Sequence, residues 1–221
     1  SLFASHDSTE GYRDNNEFRT KDVGGKFVFD PTEFLSFNLS GSYHCDDYGL
    51  PGSLTEEELK IDRRSTESPY DNAETRDKYV KLGFELDMKK YGNFITDFSY
   101  RDRDSEAFFL TDPDFPFAND YHTDTAGITP RYLWKGNISE HGNTFIAGVD
   151  FYWTEQDSKS FSGVFAPLPS SPTGISEINR DSCGVYLNDE FSIFENLILS
   201  LGARHEEVKY DLDVRDLNEF F

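Results

Sequence analysis

From Leu35 to Asp46 apolar and polar residues alternate without a break. Leu35, Phe37, Leu39, Gly41, Tyr43 and Cys45 fall on one face of an extended strand, and Ser36, Asn38, Ser40, Ser42, His44 and Asp46 on the other. The run lasts about a dozen residues, roughly twice an ordinary globular strand and enough to cross a bilayer at a tilt.

The same period recurs along the chain. Upstream, Val23, Gly25, Phe27 and Phe29 oppose Gly24, Lys26, Val28 and Asp30, and Asp30-Pro31-Thr32-Glu33 supplies turn chemistry leading into the first run. After Tyr48 the pattern lapses for about 28 residues, through Leu50-Pro51-Gly52 and a charged stretch holding Glu56, Glu57, Glu58, Arg63 and Arg64. It resumes with Val80, Leu82, Phe84, Leu86 and Met88, turns at Lys90 to Asn93, and returns with Phe94, Thr96, Phe98 and Tyr100. A connection from Phe109 to Asp120 follows. Ala126, Ile128, Pro130, Tyr132 and Trp134 then form one run, Ser139 to Asn143 a turn, and Phe145, Ala147, Val149, Phe151 and Trp153 the return. Pro130 sits awkwardly there, because proline removes a ladder donor. A Pro/Ser-rich loop from Pro167 to Gly174 leads to Val185, Leu187 and Phe191, and a turn near Glu195-Asn196 gives Leu197, Leu199, Leu201 and Ala203.

The pattern predicts an all-β chain: an antiparallel meander of about nine long strands in which short and long connections alternate. Soluble sandwiches mix loop lengths at both ends and use shorter strands. Membrane barrels put short turns at one end, long loops at the other, apolar residues outside, polar residues inside, and aromatic girdles at the interfaces. Tyr43, Tyr100, Tyr132, Trp134, Phe151 and Trp153 sit where girdle rings are useful; the alternative is that they fill a soluble β core.

Composition narrows the partners. Against 21 basic residues stand 42 acidic ones, a net charge of -21 that repels a phosphate backbone, so nucleic acid is not an expected partner. The 21 Phe, 12 Tyr and 2 Trp are far more than an acidic disordered chain carries. No apolar window is long enough for a transmembrane helix, so a membrane must be crossed by strands. With no Met at position 1 and no leader before Ser1, the chain reads as a fragment or processed product. Cys45 and Cys183 match no metal or redox spacing.

Several segments, in their order and spacing, resemble the barrel of TonB-dependent outer-membrane receptors. They are Gly11-Tyr12-Arg13-Asp14-Asn15, the Asp30-Pro31 turn between strands, Tyr48-Gly49-Leu50-Pro51-Gly52, Ser99-Tyr100-Arg101-Asp102, Ile146-Ala147-Gly148-Val149-Asp150 and Leu199-Ser200-Leu201-Gly202-Ala203-Arg204. The resemblance runs through nearly the whole chain. It implies an antiparallel transmembrane β-barrel segment with short periplasmic turns and long extracellular loops, in the outer membrane of a Gram-negative bacterium, surrounded by outer-membrane lipid. It also implies import of a scarce small ligand, a metal chelate such as an iron-siderophore or haem, or a vitamin such as cobalamin. Energy would come from the TonB system acting through a plug. Residues 1–221 contain no plug and too few strands to close the family's barrel of roughly 22 strands, so the chain reads as a partial barrel domain.

Within that frame the polar row Lys81, Glu85, Asp97, Arg101, Arg103, Arg131, Arg204 and Glu206 faces the lumen. Rings on the long connections, Tyr48, Phe108, Phe109, Phe115, Phe117 and Tyr121, are candidates for ligand capture, against the plainer role of folding those connections. His44, Cys45 and Asp46 cannot share an ion, because Cys45 points to the opposite face. Asp112, Asp114, Asp120 and Asp124 carry oxygens suited to a hard cation but read as solvated loop acids, so no metal site is expected. His6, His44, His122, His141 and His205 lack a neighbouring nucleophile signature, so neither catalysis nor a cofactor is expected. Two rival functions remain: a passive porin-like channel and a soluble secreted β-sheet binding module.

Overall fold

The computed structural model describes residues 1–164, 167–194 and 196–217, and they form one antiparallel sheet. In chain order its strands are β1 (Leu2–Thr9), β2 (Phe18–Thr32), β3 (Leu35–Gly49), β4 (Asn72–Asp87), β5 (Asn93–Phe109), β6 (Phe117–Ile128), β7 (Arg131–Ile138), β8 (His141–Ser162), β9 (Gly174–Phe194) and β10 (Leu197–Asp216). Each pairs with its neighbours in sequence, except that β6 and β7 both lie between β5 and β8.

That exception settles the awkward run around Pro130. Phe98 pairs with Ile128 on β6 and Ile95 with Arg131 on β7, so the register passes through the gap without slipping. Thr129 N–H still donates to the Asp97 carbonyl at 3.0 Å, and Val149 N–H to the Pro130 carbonyl at 2.9 Å. Only the reciprocal bond from residue 130 is missing, because proline has no N–H. One spatial strand is thus split in two, and the expected nine become ten elements.

Proline also moves the first expected turn. Pairing between β2 and β3 is regular to Phe29↔Phe37, shifts at Asp30-Pro31, and resumes at Thr32↔Leu35. The reversal therefore falls on Glu33 and Phe34 rather than across Asp30 to Glu33. The β7–β8 turn is Ser139 and Glu140, both at positive φ (49° and 72°), as a two-residue hairpin matching strand twist requires. Between β4 and β5 a short 3-10 turn, Lys89–Tyr91, ends at Gly92 (φ 90°), where an added Cβ would stand 2.5 Å from the Leu133 carbonyl oxygen. Of the expected turn at Glu195-Asn196, Glu195 lies outside the described residues; Phe194 and Leu197 pair directly.

At the other end the connections are longer, residues 10–17, 50–71, 110–116 and 163–173, and the second carries α1 (Glu56–Ile61). Thr55 caps α1 in a capping box: the Glu58 carboxylate accepts from Thr55 N–H at 2.6 Å, and Glu58 N–H donates to Thr55 Oγ1. These loops interlock. Arg13 donates to the carbonyls of Pro51, Gly52 and Ser65, and Asn15 Nδ2 donates to that of Asp71 at 2.7 Å. The buried Asp71 carboxylate in turn accepts from Leu110 and Thr111 N–H at 2.8 and 2.9 Å.

Among the described residues the only buried apolar side chains are Ala73, Ala118 and Pro116. The sheet has no interior of its own. On one face the register aligns Phe27, Leu39, Leu82, Phe98, Ile128 and Phe151 on a single rung. Four of these six are at least 45% exposed: Phe27 65%, Leu39 49%, Leu82 45% and Phe98 46%. An apolar band of this size left open needs a partner that is itself apolar.

The band also slides across the ladder. Following paired residues from Tyr43, the last band-side ring on β3, leads through Lys78, Asp102, Asp124, Glu155 and Asn179 to Asp211 on β10. On β10, however, the band ends at Ala203, about eight residues lower. Eight residues are about 26 Å along a strand, and six strand spacings about 29 Å across the sheet, which tilts the strands about 40° from the normal to the band. That is the inclination at which barrel strands cross a bilayer.

Candidate functional site

Opposite the apolar band lies a polar face, and all eight residues of the predicted polar row are on it. Paired residues show this directly: Lys81 faces Ser99, Glu85 faces Ile95, Ile95 faces Arg131, and Glu206 faces Gly184. Near mid-strand the row is internally compensated. Asp97 sits between Lys81 at 3.5 Å and Arg131 at 3.7 Å, and Arg204 reaches Asp150 at 2.7 Å and Glu206 at 3.2 Å. Arg101 grips Asp77 with two nitrogens, its Nε at 3.0 Å. Glu85 accepts from Asn93 at 2.9 Å. Arg103 differs: it has no ion-pair or hydrogen-bond partner among the described residues, because its cross-strand neighbour Asp77 is already taken by Arg101.

Beyond that point toward the long-loop end the two faces diverge. The polar side of β5 and β6 opens a cleft of about 430 Å³ lined by Arg101, Arg103, Ser105, Tyr121, Thr123 and Thr125, with Gln156 of β8. No acid borders it. Acids instead occupy the band side, above the rings: Asp102 and Asp104 on β5, Asp120 and Asp124 on β6, Glu155 and Asp157 on β8. A barrel wall can carry this arrangement because successive residues of one strand point into different media.

The six candidate rings are not loop residues, apart from Phe115. Tyr48 lies in β3, Phe108 and Phe109 in β5, and Phe117 and Tyr121 in β6. The sequence pattern missed this because the hydrophobic period fades above the band although backbone pairing continues to Phe109↔Phe117. Phe109 and Phe117 stack at 4.3 Å, Tyr48 packs 6.4 Å from Phe18, and Tyr121 borders the arginine cleft. Phe108 has the other parity and lines a separate hollow with Ala118, Phe161 and Leu168. Phe115 is exposed. The rings therefore do not converge on one place.

Two histidines sit in carboxylate clamps of matching geometry. His44, on the polar face, lies 2.7 Å from Asp22 and 3.1 Å from Asp46, with Cys45 on the opposite side as its parity requires. His122, on the band side, lies 2.6 Å from Asp104 and 3.1 Å from Asp124. Asp102, His122 and Asp124 there bring three ligand-type atoms within 4.8 Å of one another. Asp120 and Asp124 are thus strand residues, whereas Asp112 and Asp114 belong to the loop, Asp112 accepting from Asp114 N–H at 2.9 Å. In each clamp one carboxylate stands two residues along the same strand, but the other, Asp22 or Asp104, lies 22 or 18 positions away, which only the register could reveal.

No curated protein sequence matches the chain. Among solved structures it is similar to the ferric citrate transporter FecA in its unliganded form (TM-score 0.87, 21% identity, 96% of this chain and 33% of that one). It is also similar to the siderophore receptor PiuA from Acinetobacter baumannii (0.79, 11%, 98% and 39%). A third is the ferripyoverdine receptor of the outer membrane of Pseudomonas aeruginosa, bound to ferripyoverdine (0.76, 12%, 96% and 33%). At these identities the likeness is one of fold, and the chain spans between 33% and 39% of the length of these three structures. Residues 5–220 match the family model described as TonB dependent receptor-like, beta-barrel, so nearly the whole chain belongs to the TonB-dependent receptor β-barrel family.

Proposed function

We propose that the chain is a partial β-barrel domain of an outer-membrane importer that captures a small metal chelate or vitamin-like ligand and moves it with energy supplied through TonB. The family is an outer-membrane one whose members are transporters and receptors rather than enzymes. In this reading the apolar band faces lipid, the polar row faces the lumen, the short turns are periplasmic, and the interlocked long loops are extracellular. Siderophores head the expected ligands, because structures it is similar to are described as a siderophore receptor and as a receptor bound to ferripyoverdine.

The observation that carries the proposal is the strict separation of an uncovered apolar band from a charged face on strands tilted for a bilayer. Uptake of a panel of radio-iron chelates by cells carrying the full-length protein tests it. Import should stop when the proton-motive force is dissipated or TonB is deleted. Import that continues unchanged would identify a passive channel instead.

A further inference from the structure

Directly past the apolar band, toward the long loops, the band-side wall changes sign from strand to strand. On β5, β6 and β8 the first residues beyond the rings are acids, Asp102, Asp124 and Glu155, joined on one rung. On β1 to β4 the pattern is different. Ala4, Val23 and Tyr43 share a rung at the edge of the band, and the next rung outward is His6, Lys21, Cys45 and Arg76. The net charge of the chain is -21, so cations at this depth run against the general balance.

Lys21 and Arg76 stand on either side of the small Cys45, about 10 Å apart across two strand spacings. A hollow of about 460 Å³ opens there, lined by His6, Arg19, Lys21, Cys45 and Arg76, with Asp47 and Glu74 on the side away from the band. His6 Nδ1 lies 2.8 Å from the Thr20 carbonyl and closes the β1 side. Arg76 gives one nitrogen to Glu74 at 2.8 Å and keeps its other donors. Arg19 and Lys21 have no ion-pair or hydrogen-bond partner among the described residues. Three permanent cations thus line the hollow against two acids, one of which Arg76 already engages.

Long cationic side chains beside an apolar surface lay their stems along it and carry their charge to headgroup depth, where guanidinium and ammonium groups pair with phosphate oxygens. We propose that this hollow is a docking site for the phosphate of an anionic lipid headgroup. Lys21 and Arg76 hold the phosphate oxygens over Cys45, Arg19 adds a third cation, and the acyl chains continue down over Val23 and Tyr43. The assignment rests on the band facing lipid and the long loops being extracellular, which puts the lipid in the outer leaflet.

Binding is measured on the full-length protein in neutral detergent by titration with dioctanoyl phosphatidic acid, dioctanoyl phosphatidylcholine and inorganic phosphate. The unaltered protein should hold phosphatidic acid about tenfold or more tighter than the zwitterionic lipid. Lys21→Gln and Arg76→Gln should each weaken phosphatidic acid about fivefold, the size of one cation at a membrane surface, and leave phosphatidylcholine nearly unchanged. Glu74→Gln removes a negative charge and frees Arg76, so it should tighten phosphatidic acid. Lys60→Gln on α1, where the lysine pairs with Glu56, should change nothing. Equal affinity for the two lipids overturns the assignment, as does a preference that survives Lys21→Gln and Arg76→Gln together. Inorganic phosphate that displaces phosphatidic acid with equal affinity makes the hollow a soluble-anion site and overturns the lipid as its occupant. If energised chelate uptake persists in a protein without the lipid preference, the importer reading stands and only the headgroup assignment falls.

Discussion

Leu82→Lys distinguishes a lipid-facing band from an ordinary surface. Leu82 is 45% exposed and stands between Leu39 and Phe98 on one rung of the band. In water, a leucine so exposed can become lysine at a cost within about 0.5 kcal/mol. In a bilayer the cost depends on depth. A hydrocarbon band about 25 Å tall, crossed at about 40°, takes about ten residues of strand, and along β4 that band runs from Val80 to Met88, the residue just past the strand's end, with its centre near Phe84. Leu82 then lies about 5 Å from the midplane, where a lysine costs about 2–3 kcal/mol. The assay is reversible urea unfolding of the full-length protein in phosphatidylcholine vesicles, with the cost read from the midpoint shift at constant slope. Ser42→Lys, exposed on the polar face and opposite Tyr79, is the matched control and should stay within about 0.5 kcal/mol. Equal effects of the two substitutions would refute the assignment of faces.

Three further outcomes follow from local geometry. Pro130→Val supplies the missing N–H to the Val149 carbonyl and puts a β-branched side chain on the lipid face, so it should stabilise the protein by about 1 kcal/mol in the same assay. The Glu58 carboxyl in the second long loop is held below its ordinary value of 4.5, first by the Thr55 backbone N–H and then by the Thr55 hydroxyl. A depressed folded value means that the cap's contribution is complete above the unfolded pKa and is lost as pH falls through the folded one. Hydrogen-exchange protection factors in residues 55–61 should therefore fall only below about pH 4.5, and Glu58→Gln should abolish that pH dependence. Arg13→Ala together with Asn15→Ala removes the side-chain hydrogen bonds that tie residues 10–17 to residues 50–71 and leaves only Asp14 N–H on the Arg64 carbonyl, so limited proteolysis should cut the second loop faster while the urea midpoint stays unchanged.

Much of this fold is legible in the chain because side-chain direction in a strand depends on parity alone. Leu35 to Tyr43, Val80 to Leu86 and Phe145 to Trp153 declare their faces without any knowledge of a neighbour. The alternation of short and long connections gives the meander, and all eight residues of the polar row fall on one face. Prolines blur the boundaries: Pro31 displaces a turn by a few residues, and Pro130 divides one strand into two elements. The opening segment, polar and short, becomes β1 only because Leu2 to Thr9 can pair with Gly25 to Phe18.

What parity cannot supply is register, and the candidate site is a matter of register. Asp104 beside His122 and Asp77 given to Arg101 rather than Arg103 are contacts between residues 18 and 24 positions apart, set by where each turn closes. The hydrophobic period also falls silent above the lipid band while backbone pairing continues, which is why Tyr48, Phe108, Phe109, Phe117 and Tyr121 read as loop rings but stand on strands. The sequence by itself determined two faces and a membrane-length period. Only the tertiary structure decided which charges meet across the strands, because a cross-strand neighbour is fixed by the closed hydrogen-bond ladder and not by anything local to the residue.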